Sequence, residues 1–183
     1  MEKGNLHNKK GFTIIEVLLV LAIAGLIFLM IFIAWPALSR TQRDAKRRDD
    51  ISVMLKKLKD YQTNNRGALP TGRGTNISYQ ATIPANKQFS WEAFYHDYLT
   101  DSFEDPNGRH YVFDVADCGS SGSVVGSACS ASSTVPAGAQ FGENMKVVIQ
   151  ASCDGERAVA SNNPRKVAVQ YKLEGGGIYC ANT

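Results

Sequence analysis

The stretch KKGFTIIEVLLVLAIAGLIFLMIFIAWPA, from Lys9 to Ala37, decides how this chain is organised. Between Val17 and Trp35 it contains no charged side chain, and an apolar run of that length is long enough to cross a bilayer as a helix. The only charge within the run is Glu16, near its start. A carboxylate in a spanning segment is costly unless it has a partner, so we expect Glu16 to be paired.

Two simpler interpretations of this stretch are a secretory signal peptide and a plain membrane anchor. A signal peptide has an apolar core of about 7–15 residues and then a small-residue cleavage site. The segment from Ala22 to Ala24 imitates such a site, but the apolar run continues well past it. A plain anchor has no need of Glu16.

The segment from Lys9 to Glu16 resembles the processing site of type IV prepilins and the related pseudopilins. The shared features are a basic leader, the Gly11–Phe12 junction, Thr13, Glu16 and the long apolar run. The resemblance implies that a prepilin peptidase cuts between Gly11 and Phe12 and methylates the new amine of Phe12. It also makes Glu16 the assembly residue. A cationic amine on Phe12 would be neutralised by Glu16 of the same or a neighbouring subunit, because a buried pair is tolerable where a lone buried charge is not.

The same resemblance implies an α+β fold, in which a long N-terminal helix packs on a small antiparallel β-sheet head. The first half of this helix would be transmembrane, and the second half would be amphipathic. Ile51, Leu55, Leu58 and Tyr61 (or Gln62) recur at helical spacing and predict the face that packs on the sheet. We expect four segments, namely a leader (1–11), a transmembrane and assembly helix (12–36), an amphipathic helix (37–65) and the head (66–183).

Gly25 and Pro36 interrupt the helical pattern. Glycine weakens a helix interior by about 1 kcal/mol relative to alanine, and proline removes a backbone hydrogen bond. In type IV pilins the corresponding stretch can loosen during assembly, so the resemblance makes Gly25 and Pro36 candidate helix-loosening positions. A mild kink is the alternative interpretation.

The segment from Arg40 to Asp50 is densely charged, with both signs present. Such a segment can bind DNA or anionic lipid headgroups. We favour a solvated helix face whose charges pair at helical spacing, for example Asp44 with Arg40 or Arg48.

After the helix, the sequence predicts a loop over 71–87 and a short aromatic helix over 89–99. The turn signal Asp-Pro-Asn-Gly follows at 105–108. Valine-rich segments then predict strands at 111–113, 145–151, 157–160 and 166–173, with a hairpin turn at 174–177.

All four cysteines follow the apolar run, which fits an oxidising compartment. Four cysteines allow three pairings. We favour Cys118–Cys129, inside a Ser/Gly/Ala-rich segment (116–139) expected to form an exposed loop, together with Cys153–Cys180. In many pilins a C-terminal disulfide borders a surface loop, and the second pair matches that arrangement.

No metal is expected. Because some pseudopilins bind calcium, the oxygen-bearing side chains around the turn are weak candidates, namely Asp101, Asp105, Asn107 and Asp114. An EF-hand loop is excluded, since Phe103 would occupy its first ligand position.

No phosphate-binding loop, nucleophile elbow or clustered histidines are present, so neither an enzyme nor a cofactor is expected. The net charge of +3 does not by itself indicate nucleic acid or an acidic partner. The resemblance implies a structural subunit of a type IV pilus-like filament. The alternatives are a pseudopilin of a secretion or DNA-uptake system and a membrane-tethered binding domain that does not polymerise.

The expected partners are copies of the chain in a helical filament, the prepilin peptidase, the inner-membrane assembly machinery and, before assembly, membrane lipid. Before assembly we expect a single pass through the cytoplasmic membrane, with the N-terminus cytoplasmic and the head outside. The final location would be an extracellular pilus or a periplasmic pseudopilus. Binding of DNA or of a host surface is left open.

Overall fold

A computed structural model describes residues 11–100, 102–118, 126–129 and 144–183. The chain divides into two compact units, Met1–Arg40 and Thr41–Thr183, called here the N-terminal unit and the globular unit. The leader, Asp101 and most of the Ser/Gly/Ala-rich segment lie outside the described residues, so the expectations for them stay predictions.

One helix, α1, runs from Ile14 to Asn64 and contributes to both units. Its first part is apolar all round, and its side chains are almost all exposed within the N-terminal unit. The helix continues through Gly25 and Pro36. Loosening at these two positions stays a prediction.

The described part of the globular unit contains two short helical segments besides α1. A 3₁₀ helix spans Ala85–Lys87, and α2 spans Trp91–Phe94 and continues as a π-helical turn over Tyr95–Leu99. Ser90 caps α2, since its Oγ accepts a hydrogen bond from the amide of Ala93 at 3.3 Å. The aromatic helix predicted over 89–99 is thereby confirmed.

Nine strands are present in the described residues. They are β1 (Gly74–Ile77), β2 (Glu104–Asp105), β3 (Arg109–His110), β4 (Val112–Asp117), β5 (Asn144–Ile149), β6 (Ala151–Asp154), β7 (Arg157–Ala160), β8 (Val167–Lys172) and β9 (Ile178–Asn182). The α+β class is confirmed, as are the valine-rich strands and the turn before β9.

The main sheet has five strands in the order β1-β4-β5-β8-β9. Val147 lies opposite Val169, and Tyr171 lies opposite Tyr179. Two features differ from the sequence-based expectation. β1 lies within the segment predicted as a loop, and β4 pairs with β5 in parallel, whereas the other pairs are antiparallel. A parallel pair needs a long connection, and the segment from Cys118 to residue 143 supplies it.

The core lies between α1 and one face of this sheet. Ile51, Met54, Leu58 and Tyr61 are buried at the predicted helical spacing. They pack with side chains of α2 and of the strands, namely Trp91, Phe94, Phe113, Val147, Val169 and Tyr171. Burying such side chains contributes about 1.5–3 kcal/mol each, which makes this face the main support of the fold.

The β6–β7 hairpin belongs to a second, smaller core. It is built mostly from small side chains, namely Val148, Ala151, Ala158, Ala160, Ala168 and the four cysteines. Cys118 pairs with Cys129, and Cys153 pairs with Cys180, which are the pairs favoured from the sequence. Small side chains bury little apolar area, so this part of the fold depends more on its cross-links.

Candidate functional site

The junction between Gly11 and Phe12 precedes the first helical residue. Phe12 is 83% exposed, and no atom lies within 4 Å of the position that a Cβ on Gly11 would occupy. In the described residues this peptide bond is therefore accessible, as a cleavage site must be.

Thr13 caps the N-terminus of α1. Its Oγ1 accepts a hydrogen bond from the amide of Glu16 at 3.3 Å, and its carbonyl accepts one from the amide of Val17 at 3.3 Å. Thr-x-x-Glu is the spacing of a capping box, and a threonine cap typically contributes about 1 kcal/mol. This role was not part of the sequence-based expectation, although the spacing itself signals it. The residues that mark the junction therefore also start the helix beyond it.

Glu16 lies in the first turn of α1 and is exposed. Among the described residues no cationic side chain pairs with it. A negative charge is favourable at this position, because the N-terminal end of a helix carries a partial positive charge. Its carboxylate is therefore open to a cation from outside the described residues.

The N-terminal unit exposes a long apolar surface. Within the described residues, every exposed large apolar side chain except Phe89 lies between Phe12 and Leu38. Soluble monomers rarely expose contiguous apolar patches above a few hundred Å². The helix is long and apolar enough to cross a membrane, and its most apolar window is unburied.

The family model described as the prokaryotic N-terminal methylation motif matches residues 6–32. This match supports the resemblance to type IV pilins and pseudopilins, which share that motif. The matched segment includes the junction, Glu16 and Gly25. No curated protein and no solved structure matches the chain.

The globular unit of this pilin-like protein contains a buried polar cluster centred on Arg47. We call it the Arg47 network, and it consists of Asp44, Arg47, Asp105, Tyr171 and Glu174. The guanidinium of Arg47 is fully buried and donates twice to Asp105, from Nε at 2.6 Å and from Nη2 at 3.1 Å. Its Nη1 donates to Asp44 at 2.9 Å and to Glu174 at 3.2 Å. One side chain of α1 therefore joins two distant segments of the pilin-like chain.

The carboxylates of the network have further donors. Asp44 accepts from the amides of Glu174 at 2.9 Å and Gly175 at 2.7 Å. Glu174 also accepts from Arg43, at 2.8 Å from Nε. The hydrogen bonds from Arg43 lower the pKa of Glu174 from its ordinary value of 4.5 to about 2, against the opposing effect of burial and with help from Arg47. Glu174 is therefore ionised at neutral pH, and in that form its contacts with Arg43 and Arg47 tie the turn before β9 to α1.

A second polar contact lies beside the network. The hydroxyl of Tyr111 donates to Asp50 at 2.9 Å, and Lys46 forms an ion pair with the same carboxylate. Burial raises the pKa of Tyr111, and the nearby charge of Asp50 raises it further. Tyr111 therefore stays a neutral donor over the physiological pH range.

These contacts correct the expectation of a solvated charged face over Arg40–Asp50. Asp44, Arg47 and Asp50 are buried, and Asp44 pairs with Arg47 and not with Arg48. The partners of Arg47 that explain its burial come from far along the chain, so helical spacing alone could not show them. Residues nearby on α1, such as Arg48 and Asp49, are exposed as predicted.

Two of the side chains considered for calcium, Asp105 and Asp114, are engaged with different partners in the structure. Asp105 is bonded to Arg47, and it also accepts from the amide of Asn107 at 2.9 Å. Asp114 instead pairs with Lys146 at 2.9 Å and accepts from the amide of Asn76. In the described residues, no group of three or more His, Cys, Asp or Glu side chains is arranged to hold a metal ion.

Proposed function

We propose that the chain is a structural subunit of a type IV pilus-like filament. It is cleaved after Gly11, methylated at Phe12 and polymerised through its N-terminal helix. The observation that carries the proposal is the combination of an accessible junction, a helix that starts just beyond it and an exposed apolar surface along that helix.

The exposed apolar surface explains storage in a membrane and later assembly. Before assembly the N-terminal unit sits in lipid of the cytoplasmic membrane, with its basic leader in the cytoplasm and the globular unit outside. In the filament the same surface packs against the helices of neighbouring subunits. Both environments are apolar, so the hydrophobic free energy changes little on transfer. Repeated head-to-tail contacts then produce an open helical filament.

Glu16 supplies the electrostatic part of assembly. Cleavage leaves a cationic amine on Phe12, and the exposed carboxylate of Glu16, in the same or a neighbouring subunit, neutralises it. The pair sets the register between subunits, because either charge alone would be costly inside the apolar filament core. The prepilin peptidase and the inner-membrane assembly machinery act before and during this step.

The first test is mass spectrometry of the N-terminal peptide, comparing membranes with filaments sheared from the cell surface. We expect a peptide that begins at methylated Phe12 in the sheared fraction. The same peptide confined to membranes would favour a pseudopilin of a secretion or DNA-uptake system. A leader intact in every fraction would refute the proposal and leave a tethered domain that does not polymerise.

The second test separates the charge of Glu16 from its place in the helix cap. Glu16→Gln keeps a residue that suits a capping box but removes the charge. We expect normal cleavage and strongly reduced filament yield for both Glu16→Gln and Glu16→Ala. Normal filaments from Glu16→Gln would show that the cap, and not the ion pair, is what assembly requires.

A further inference from the structure

A polar cavity of about 460 Å³ lies between the last turns of α1 and the segment that joins β7 to β8. Three basic side chains line it, Lys59 from the helix and Arg165 and Lys166 from the joining segment. The remaining lining residues carry hydroxyl or amide side chains, among them Ser161 and Asn162. Thr183, the last residue of the sequence, also lines the cavity, and no acidic side chain is among the described lining residues.

These three basic side chains differ from the basic residues of α1 that hold the Arg47 network and its neighbour Asp50. Arg43, Lys46 and Arg47 each form an ion pair. Lys59 and the two cavity residues Arg165 and Lys166 form none with the described residues. Like charges brought together around one cavity raise the local positive potential and attract an anion.

The backbone that carries Arg165 is held in place by hydrogen bonds. The side-chain amide of Gln62 donates to the carbonyl of Arg165 at 2.8 Å, which ties the joining segment to α1. The amide of Arg165 donates to the side chain of Asn163 at 2.9 Å, and the amide of Asn163 donates to Ser161 at 3.2 Å. The segment is therefore fixed before any ligand arrives.

Gly67 makes room for the guanidinium of Arg165. A Cβ at position 67 would stand 2.7 Å from Cζ of Arg165, which is closer than real Cβ contacts. The positive φ of Gly67, 83°, also favours glycine at this place. The glycine that follows α1 thus lets the guanidinium lie against the backbone at the edge of the cavity.

We propose that this cavity binds a phosphate group. The guanidinium of Arg165 offers paired N–H donors that match the geometry of phosphate oxygens. The ammonium groups of Lys59 and Lys166 add positive charge and can donate hydrogen bonds in several directions. The hydroxyl and amide groups supply neutral hydrogen bonds, and the volume is within the range of ligand sites. The phosphate is either free or part of a phosphodiester, and the same side chains hold it in both cases.

The experiment uses the full chain in detergent micelles with two probes, inorganic phosphate and a short fluorescent oligothymidylate. Fluorescence anisotropy measures binding of the oligothymidylate, and phosphate competes at constant ionic strength. The cavity variant is Arg165→Gln/Lys166→Gln. The matched control is Lys56→Gln/Lys57→Gln, which removes the same charge from exposed positions of α1 outside the lining of the cavity.

We expect the cavity variant to bind about tenfold more weakly or worse, since each lost charge-assisted hydrogen bond is large enough for a factor of that size. The affinity of the control variant for the probe should fall by less than about threefold, as expected for charges that act only at a distance. Lys59→Gln serves as a second cavity variant from the helix side. It leaves the joining segment intact, and it should weaken binding even if the double variant folds poorly.

Competition by phosphate would support a site that also takes the free ion, and binding of oligothymidylate alone would support the phosphodiester form. The proposal is overturned if neither probe binds. It is also overturned if Lys59→Gln and the control variant lose affinity equally.

Discussion

Arg47→Met tests whether the Arg47 network holds the globular unit together. The substitution keeps most of the side-chain volume but removes the guanidinium that joins α1 to Asp105 and Glu174. Asp44 and Glu174 keep other donors after the change. Asp105 keeps the hydroxyl of Tyr171 and the amide of Asn107 as donors, but its buried charge loses its cation.

The expected loss in the free energy of unfolding is about 3–5 kcal/mol, the usual result when one partner of a buried ion pair is removed. That is a large share of the roughly 5–15 kcal/mol that stabilises a domain. Asp105→Asn removes the unpaired buried charge. The double variant Arg47→Met/Asp105→Asn should therefore lose less unfolding free energy than the sum of the losses in the two single variants. We expect the difference to be about 2 kcal/mol.

The assay is urea unfolding of the full chain in micelles, followed by the fluorescence of buried Trp91. A Trp35→Phe background leaves Trp91 as the only tryptophan. The matched control is Arg48→Met. Arg48 is exposed and lies 5.5 Å from the ring centroid of Tyr179, so the control should lose about 0.5–1 kcal/mol. Equal losses of unfolding free energy in Arg47→Met and Arg48→Met would refute the argument that the buried ion pairs of Arg47 stabilise the globular unit.

Three further predictions concern acid stability, a disulfide and the core. Glu174 has a folded-state pKa below its ordinary value, so its stabilisation is complete above about pH 4.5 and is lost as the pH falls towards 2. The gap in unfolding free energy between wild type and Glu174→Gln should therefore shrink over that window, and a gap that stays constant would contradict the assignment. Cys153→Ala/Cys180→Ala should lower the unfolding free energy by about 3.5 kcal/mol in the chain-entropy model, measured by urea unfolding, and an unchanged midpoint would count against it. Leu58→Ala should cost about 2–5 kcal/mol in the same assay because Leu58 is fully buried, and a loss below 1 kcal/mol would show that the site collapses around the smaller side chain.

Local signals along the chain were enough for much of the fold. The spacing of Ile51, Leu55 and Leu58 places one face of α1 in the core. An amphipathic helix buries its apolar face whatever the topology of the sheet it packs on. Valine-rich segments became β5 and β8 for a similar reason. The strand β1 was missed because its four residues, Gly74–Ile77, are mostly exposed and carry no alternating apolar pattern.

The charged part of α1 shows where local reasoning stops. Composition predicts that Arg47 is solvated like Arg48, its neighbour. Its burial depends on Asp105, 58 residues away, and on Glu174, 127 residues away. The Asp-Pro-Asn-Gly turn was visible as a turn, but nothing in it indicates which cation its aspartate meets.

The sequence alone therefore determined the N-terminal segment. A basic leader, a Gly–Phe junction, Glu16 and a long uncharged run are all encoded within adjacent residues, and their physical consequences do not depend on the remainder of the chain. Only the tertiary structure decided the Arg47 network, the parallel pairing of β4 with β5 and the cavity beside Lys59. Each of these brings together residues that are distant along the chain, and such contacts form only when the whole globular unit packs.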